Sequence, residues 1–469
     1  MSELGSPERG LFCNRTLNLR GVRAVGYDMD YTLIHYRVDE WERAAFEHAQ
    51  IWLQAKGWPV KDLTFDPDEF ILGLTFDLEL GNLVKATRFG YVVRAQHGTA
   101  HLSFDEQRNC YDGEVIELRD ERFEFMNTLF ELSRASLWTQ LVDRHDRKPL
   151  PGVHSYRSLY REIDAALGAA HLEGVLKSQI VNDPDRFVVR DPDLLGTLQD
   201  QRLAGKQLLL ITNSEWWYTQ QMMSWCFDDA LPDGETWRDL FDLVIVSAAK
   251  PRFFAQRQPV YRLVDAERGL LEPHVGPLTS GEVYQGGDAR MVEAALGHEA
   301  SQFLYVGDHL FGDVHVTKDV LRWRTALIAR ELEAEVQSAR SFVDETEQLR
   351  LRMDHKAELE ERYAQLRMHR RRLVVDGSDH RTVDTEIDTT GDEISALDAE
   401  LAPLAEAASR LGNPHWGPLM RAGIDKSLFA RQVEKYADVY TSRVSNFREA
   451  TPYGYLRAAR GSLPHDNVG

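Results

Sequence analysis

Two carboxylates separated by one residue, Asp28 and Asp30 in the string Asp28-Met29-Asp30-Tyr31-Thr32-Leu33, are the strongest chemical signal in the chain. They come directly after an apolar run, so at a strand end both can face one cleft. There Asp28 can attack phosphorus and carry the transferred group as an aspartyl phosphate, a covalent strategy open to carboxylates. Asp30 can protonate the departing ester oxygen and later take a proton from the attacking water. Aspartate is also common in strand-to-loop turns, and the pair taken alone reads better as an acidic turn.

Three further segments shift that balance. Thr212-Asn213-Ser214 follows a second apolar run and offers hydroxyl and amide groups suited to phosphate oxygens. Ser247-Ala248-Ala249-Lys250-Pro251 follows a third, and Lys250 supplies a compact charge that binds phosphate and balances clustered carboxylates. Gly307-Asp308-His309-Leu310-Phe311-Gly312-Asp313 follows a fourth, where Asp308 and Asp313 can complete an oxygen-rich site for Mg2+. Each segment is weak alone. Their order, spacing and shared place after an apolar run make the set strong.

The runs themselves are Val22 to Tyr27, Gln207 to Ile211, Leu243 to Val246 and Phe303 to Val306, and Thr325 to Ile328 reads as a fifth. Continuous rather than alternating apolar character suits strands covered on both faces, as in parallel sheets. Such sheets gather their chemistry beyond the carboxyl ends of the strands, so polar groups far apart in sequence converge.

Between the first and second runs, roughly Phe70 to Asn182, an alternating stretch with Gly81-Asn82 and Phe89-Gly90 predicts a β-hairpin, and helical spacing follows it. From Glu331 to Leu373 there is no Gly or Pro, and from Ile387 to Leu411 the residues Ile387, Ile394, Leu397, Leu401, Leu404, Ala408 and Leu411 form one apolar stripe. A polar breaker separates the two, so an antiparallel helical hairpin is expected, serving packing or oligomerisation. The fold class that follows is α/β, a doubly wound and mostly parallel Rossmann-like core. We expect that core over 1–69 and 183–330, an inserted α+β cap over 70–182, the hairpin over 331–412, and a C-terminal segment over 413–469 packed on the core.

Composition narrows the function classes. A chain of 469 residues needs two or three structural units. Its three cysteines, Cys13, Cys110 and Cys226, are widely spaced, which disfavours a disulfide framework or a zinc site and points to a reducing, cytoplasmic setting. The first residues do not read as a signal peptide, and nothing approaches the roughly 20 continuous apolar residues of a membrane span. A net charge of −20 repels nucleic acid yet permits a small phosphorylated substrate in a locally positive cleft. His309, the run Trp216-Trp217-Tyr218 and the basic run His369 to Arg372 read as loop packing, helix packing and a solvated helix face.

The ordered set of motifs resembles the haloacid dehalogenase superfamily of phosphatases. The strings GYDMDYTL, FDLELGNLVK, NTLFELS, SYRS, ITNSEWWYT, AKPRFF, YVGDHLFGDV and LMRAGIDKSLFARQVEKYADVY resemble, more closely, the cytosolic purine 5′-nucleotidase family, from about Arg15 to Asp466. The resemblance implies Asp28 as nucleophile and Asp30 as acid/base. It implies Mg2+ held by Asp28, the backbone carbonyl of Asp30 and Asp308, with Asp313 in support. Thr212, Asn213, Ser214 and Lys250 match phosphate-binding positions, Phe130 a base-stacking aromatic and Lys177 a lysine of the substrate site. The implied reaction is hydrolysis of purine nucleoside 5′-monophosphates such as IMP or GMP, with phosphotransfer to a second nucleoside. A nucleotide effector, with Asn127 matching one of its positions, and a homo-oligomer, dimer or tetramer, are implied too.

Three positions depart from the family pattern. Where the family has an arginine, an aspartate and a tyrosine near the purine, this chain has Asp164, Gly168 and Leu172. Preference for hypoxanthine or guanine is thereby altered or supplied elsewhere, because discrimination by polar groups depends on satisfying them in a dry pocket. A phosphatase for another small phosphomonoester is therefore the enzymatic alternative. A nucleotide-responsive binding or assembly protein is the alternative of another class.

Overall fold

The structure, a computed structural model, describes residues 5–172, 174–459 and 461, the side chains of 170–172 excepted. Two compact units emerge, residues 1–333 with 419–469, and residues 334–418.

The first unit is organised by a ten-stranded sheet. Seven of its strands run parallel, in the spatial order Val439–Thr441, Arg324–Ile328, Phe303–Gly307, Ala24–Tyr27, Gln207–Ile211, Leu243–Val246 and Val283–Gly286. The short strand Phe12–Cys13 closes one edge antiparallel, and the hairpin Val260–Asp265 with Leu270–Pro273 closes the other. The apolar runs explain the parallel core, since every residue of Ala24–Tyr27, Leu243–Val246 and Phe303–Gly307 is buried. Ala24–Tyr27 is flanked by strands from much later in the chain on both sides, which opens a crevice at its carboxyl end.

Five expected strands occupy their places with end shifts of at most two residues. Two parallel strands had no sequence expectation. Val283–Gly286 extends one side, and Val439–Thr441 brings the C-terminal segment into the sheet. The latter is anchored by the fully buried Asp438, whose carboxylate accepts bonds from Lys318 at 2.8 and 2.7 Å and from the Thr325 N–H at 3.0 Å.

Residues 75–125 contain a separate five-stranded antiparallel sheet, ordered Ala100–His101, Val92–His97, Asn82–Ala86, Thr75–Asp77 and Phe123–Phe125. Helices Leu132–Arg147 and Tyr156–Leu172 follow, and both pack against Val38–Ala55. That helix buries Trp41, Ala45, Ala49 and Leu53, a stripe at helical spacing.

The second unit is a helical hairpin. Its long helices, Val343–Val375 and Arg381–Ser409, meet through Leu359, Leu397 and Leu401, with Leu349 and Ile394 alongside. Of the expected stripe only Leu397 and Leu401 are buried, because a two-helix seam covers a narrow face. The uninterrupted helix expected from Glu331 breaks at Phe342, where φ is −118° and ψ 21°, leaving Leu332–Ser341 as a separate helix. Among the described residues no helix is long and apolar enough to cross a membrane.

Candidate active site

The Ala24–Tyr27 strand delivers Asp28 to the crevice, and a tight turn follows. The Met29 carbonyl accepts the N–H groups of Thr32, Leu33 and Ile34, and Tyr31 sits at φ 52°, a left-handed conformation that a bulky residue rarely adopts. The loop carrying Lys250 is strained as well, with Ser247 at φ 45° and Ala249 at φ 57°. Such conformations cost on the order of 1–3 kcal/mol each and persist only where neighbours impose them. Here the neighbours are the Thr212–Ser214 loop. Ser247 and Ala248 donate their N–H groups to the carbonyls of Ser214 and Thr212, at 2.9 and 3.0 Å. Asn213 completes the clamp by accepting the Lys250 N–H at 2.6 Å and donating to the Lys250 carbonyl at 3.2 Å.

The clamp aims the Lys250 ammonium between two acids, 2.7 Å from Asp28 Oδ2 and 2.8 Å from Asp313 Oδ1. It also donates to Tyr305 Oη at 3.1 Å, whose own hydroxyl is tied to the Ile211 carbonyl. Asp28, Asp308 and Asp313 present carboxylate oxygens that all lie within 4.8 Å of one another. Thr128 donates to Asp308 at 3.1 Å. Gly307 makes room for Asp313, since a Cβ there would fall 2.5 Å from its Oδ2. His309 Nδ1 accepts the Gly312 N–H at 2.8 Å, which assigns this histidine to closing the loop.

The electrostatics of the cluster favour a cation. Burial pushes the Asp28 carboxyl up to about 7; Lys250 pulls it down, while Asp313 and Asp30 push it further up. Burial, then Asp28 and Asp313, hold Asp308 well above the usual carboxylate range. Burial works against the Lys250 charge, but Asp28 and Asp313 outweigh it and keep the ammonium well above the ordinary lysine range. One ammonium against three crowded carboxylates leaves an acidic, all-oxygen donor set, which fits a hard divalent ion such as Mg2+.

Asp30 stands apart from that cluster. Its Oδ1 accepts from the Tyr36 hydroxyl at 2.6 Å and its Oδ2 from the Ser214 hydroxyl at 2.7 Å. Lys177 donates to Ser214 Oγ at 3.3 Å and pairs with Glu215 at 2.5 Å. Thr212 is fully buried, its Oγ1 accepting the Ser214 N–H at 3.0 Å. Phe130 lies edge-on to Tyr31 and Trp41, at ring distances of 4.6 and 5.3 Å, so it borders the turn that carries Asp30.

The departed positions contribute differently. Asp164 pairs with Arg134 at 2.7 Å, and a Cβ at Gly168 would meet nothing within 4 Å. The Leu172 side chain lies outside the described residues. Asn127 binds the loop after Asp308, its carbonyl and Oδ1 accepting the N–H groups of Leu310 and Phe311, each at 3.5 Å. Thr128 and Tyr305 lie inside the strings NTLFELS and YVGDHLFGDV without being singled out within them, and Tyr36 and Arg134 lie outside every such string. Tyr218, read as a packing residue, does pack, but its hydroxyl lies 2.9 Å from that of Tyr36.

The 5′ nucleotidase family model matches residues 11–468. A 5′-nucleotidase domain-containing protein of Dictyostelium discoideum is 25% identical over 465 residues, covering 97% of this chain and 74% of its own length. The 5′-nucleotidase domain-containing protein 2 of Homo sapiens is 26% identical over 455 residues, covering 93% and 81%. A solved archaeal beta-phosphoglucomutase from Pyrococcus sp. strain ST 04 overlaps 66% of this chain and 86% of its own. Its identity is 9% and its TM-score 0.32, a likeness too partial to bear weight.

Proposed function

The chain belongs to the 5′ nucleotidase family and is a 5′-nucleotidase; on that premise we propose that it hydrolyses purine nucleoside 5′-monophosphates, with Mg2+, through a phospho-Asp28 intermediate. The observation that carries this reading is the single ammonium of Lys250 shared by Asp28 and Asp313, with Asp308 beside them. A binding protein needs no paired nucleophile and acid, the roles this reading gives to Asp28 and Asp30.

In the proposed reaction Asp28 Oδ attacks phosphorus while Asp30 gives its proton to the departing 5′ oxygen. Asp30 then takes a proton from water as that water attacks the phospho-Asp28 intermediate. Asp28, the Asp30 carbonyl and Asp308 would hold Mg2+, supported by Asp313, and the ion when bound would offset charge on the transferring phosphoryl group. Lys250 contributes the same kind of offset from the protein side. Thr212, Asn213 and Ser214 shape the phosphate loop, Lys177 reaches it from the cap side, and Phe130 offers an aromatic edge to the base. Because a covalent intermediate separates the two products, a second nucleoside can intercept it in place of water.

Asp164 and Gly168 leave the base side the least constrained part of this reading, and a small phosphomonoester other than a nucleotide is its rival. Steady-state kinetics over nucleoside monophosphates and sugar phosphates, with and without Mg2+, decides between them. Faster turnover of sugar phosphates than of IMP or GMP would defeat the purine reading. Asp28→Asn must abolish turnover while leaving the fold intact, and near-wild-type activity would remove the nucleophile.

A further inference from the structure

We propose that Tyr36 and Tyr218 are positioning residues for Asp30, forming a two-hydroxyl chain that holds its carboxylate and strengthens as the acid loses its proton. The proposal rests on the reading of Asp30 as the acid/base. The geometry is directional. A tyrosine hydroxyl has one proton, and Tyr36 uses it on Asp30 Oδ1 at 2.6 Å. The contact of 2.9 Å between Tyr36 Oη and Tyr218 Oη must then be a donation from Tyr218. Both side chains are buried, with residue exposures of 4% and 0%. Tyr36 is locked further by packing on Trp41 and Tyr31, at ring distances of 4.3 and 5.3 Å.

These tyrosines come from different elements, the short strand His35–Tyr36 and the helix Trp216–Phe227 that follows the phosphate loop. A buried hydroxyl needs only some acceptor, and a backbone carbonyl would serve. Here the chain ends on the one carboxylate that must point at the leaving oxygen. When the P–O bond breaks, its electron pair goes to the leaving oxygen, the Asp30 proton follows it, and Asp30 becomes an anion. Hydrogen bonds to an anion are roughly twice as strong as neutral ones, so the Tyr36 and Ser214 donors favour the transition state over the ground state.

The test compares Tyr36→Phe, Tyr218→Phe, the double variant and Asp30→Asn on two substrates. One is IMP, or whichever monophosphate is turned over fastest, and the other is p-nitrophenyl phosphate, whose leaving group needs little protonation. Loss of a charge-assisted bond predicts a fall in kcat of roughly 10- to 100-fold for Tyr36→Phe on the nucleotide. The aryl ester should lose far less, and KM should hardly move. Tyr218→Phe should show a smaller loss with the same selectivity, and the double variant should be no slower than Tyr36→Phe. Equal slowing of both esters, additive losses, or wild-type kcat would overturn the proposal. If Tyr36→Phe does not fold, Tyr218→Phe alone decides by the same selectivity. Asp30→Asn separates the two readings. Selective loss there with none in the tyrosine variants defeats only the chain, whereas unselective loss in Asp30→Asn defeats the acid/base assignment itself.

Discussion

The Lys250 ammonium lies 2.7 Å from the carboxylate of Asp28, in a setting where their side chains are only 3% and 11% exposed. The same nitrogen reaches Asp313, so one positive charge serves two acids and faces a third, Asp308. Water cannot screen such a group well, and the charge count around Asp28 therefore decides how much of it is ionised and able to attack.

Replacing Lys250 with Met keeps an unbranched side chain out to the position of Cε and removes the ammonium. Lys250 is the largest influence that opposes the burial of Asp28, so more of Asp28 is protonated near neutral pH in the variant. We expect kcat to fall by roughly 10²–10³-fold, the range for deleting one charge-stabilising group from a phosphoryl or acyl site. Single-turnover kinetics with matched far-UV circular dichroism checks this. Turnover within threefold of wild type would show that the ammonium is dispensable.

Much of this site was legible because its motifs are tied to continuous apolar runs. Asp28 and Asp308 follow directly on strands whose burial on both faces leaves a plain signature, and Lys250 sits in the loop just beyond another, so placing the strands placed the groups. The strands Val283–Gly286 and Val439–Thr441 are only four and three residues long. Their apolar runs are cut short by Gln285 and Thr441, and pairing with neighbours decides them rather than local pattern. Phe342 interrupts the long helix without any Gly or Pro to announce it. The partners Tyr36, Thr128 and Tyr305 are ordinary residues in sequence and acquire their roles only through tertiary contact. Local reading thus recovers the charged groups that meet at the sheet edge and misses the groups that hold them in place.

Metal binding should show itself in stability before it shows in rate. Burial and like charge hold Asp308 well above its ordinary range, so the folded state without metal resists ionising it. Asp308→Asn removes that repulsion, and the variant should melt higher than wild type in EDTA. Added Mg2+ should raise the wild-type melting temperature, by an amount equivalent to about 2.7 kcal/mol at a hundred times Kd, and leave the variant nearly unmoved. Differential scanning calorimetry reads both. Equal Mg2+ shifts in the two proteins would take Asp308 out of the ligand set.

Gly307 is a packing requirement rather than a conformational one. A Cβ would stand 2.5 Å from Asp313 Oδ2 and 2.7 Å from its Cβ and Cγ, so Gly307→Ala must displace the carboxylate that shares Lys250. Misplacing a reacting constellation by about 1 Å costs on the order of 10²-fold in rate. Overpacking costs about 1–3 kcal/mol in stability. We therefore expect kcat to drop much further than the loss in stability, measured by urea unfolding, would explain. A variant destabilised with kcat unchanged would show that Asp313 can move without consequence.

Glu42 supplies a prediction that is independent of the catalytic chemistry. It is fully buried on the helix Val38–Ala55, with Oε2 accepting the Ser133 N–H at 2.8 Å and Oε1 without a hydrogen-bond partner among the described residues. Burial pushes its carboxyl up from 4.5 to about 7, against the opposing hydrogen bond from Ser133. Between those values the folded state binds a proton that the unfolded state has lost, so stability falls as pH rises. The favourable contribution is complete below 4.5, declines through about 7 and is constant above. A rise of that size corresponds to roughly 3 kcal/mol at most. Gln at this position is neutral at every pH and still offers an acceptor to Ser133. Glu42→Gln should therefore change stability little at pH 4.5 and raise it by about 1–3 kcal/mol at pH 8, read from urea unfolding at the two values. The same difference at both would mean that Glu42 titrates alike in the folded and unfolded protein, and that its environment is wetter than its burial implies.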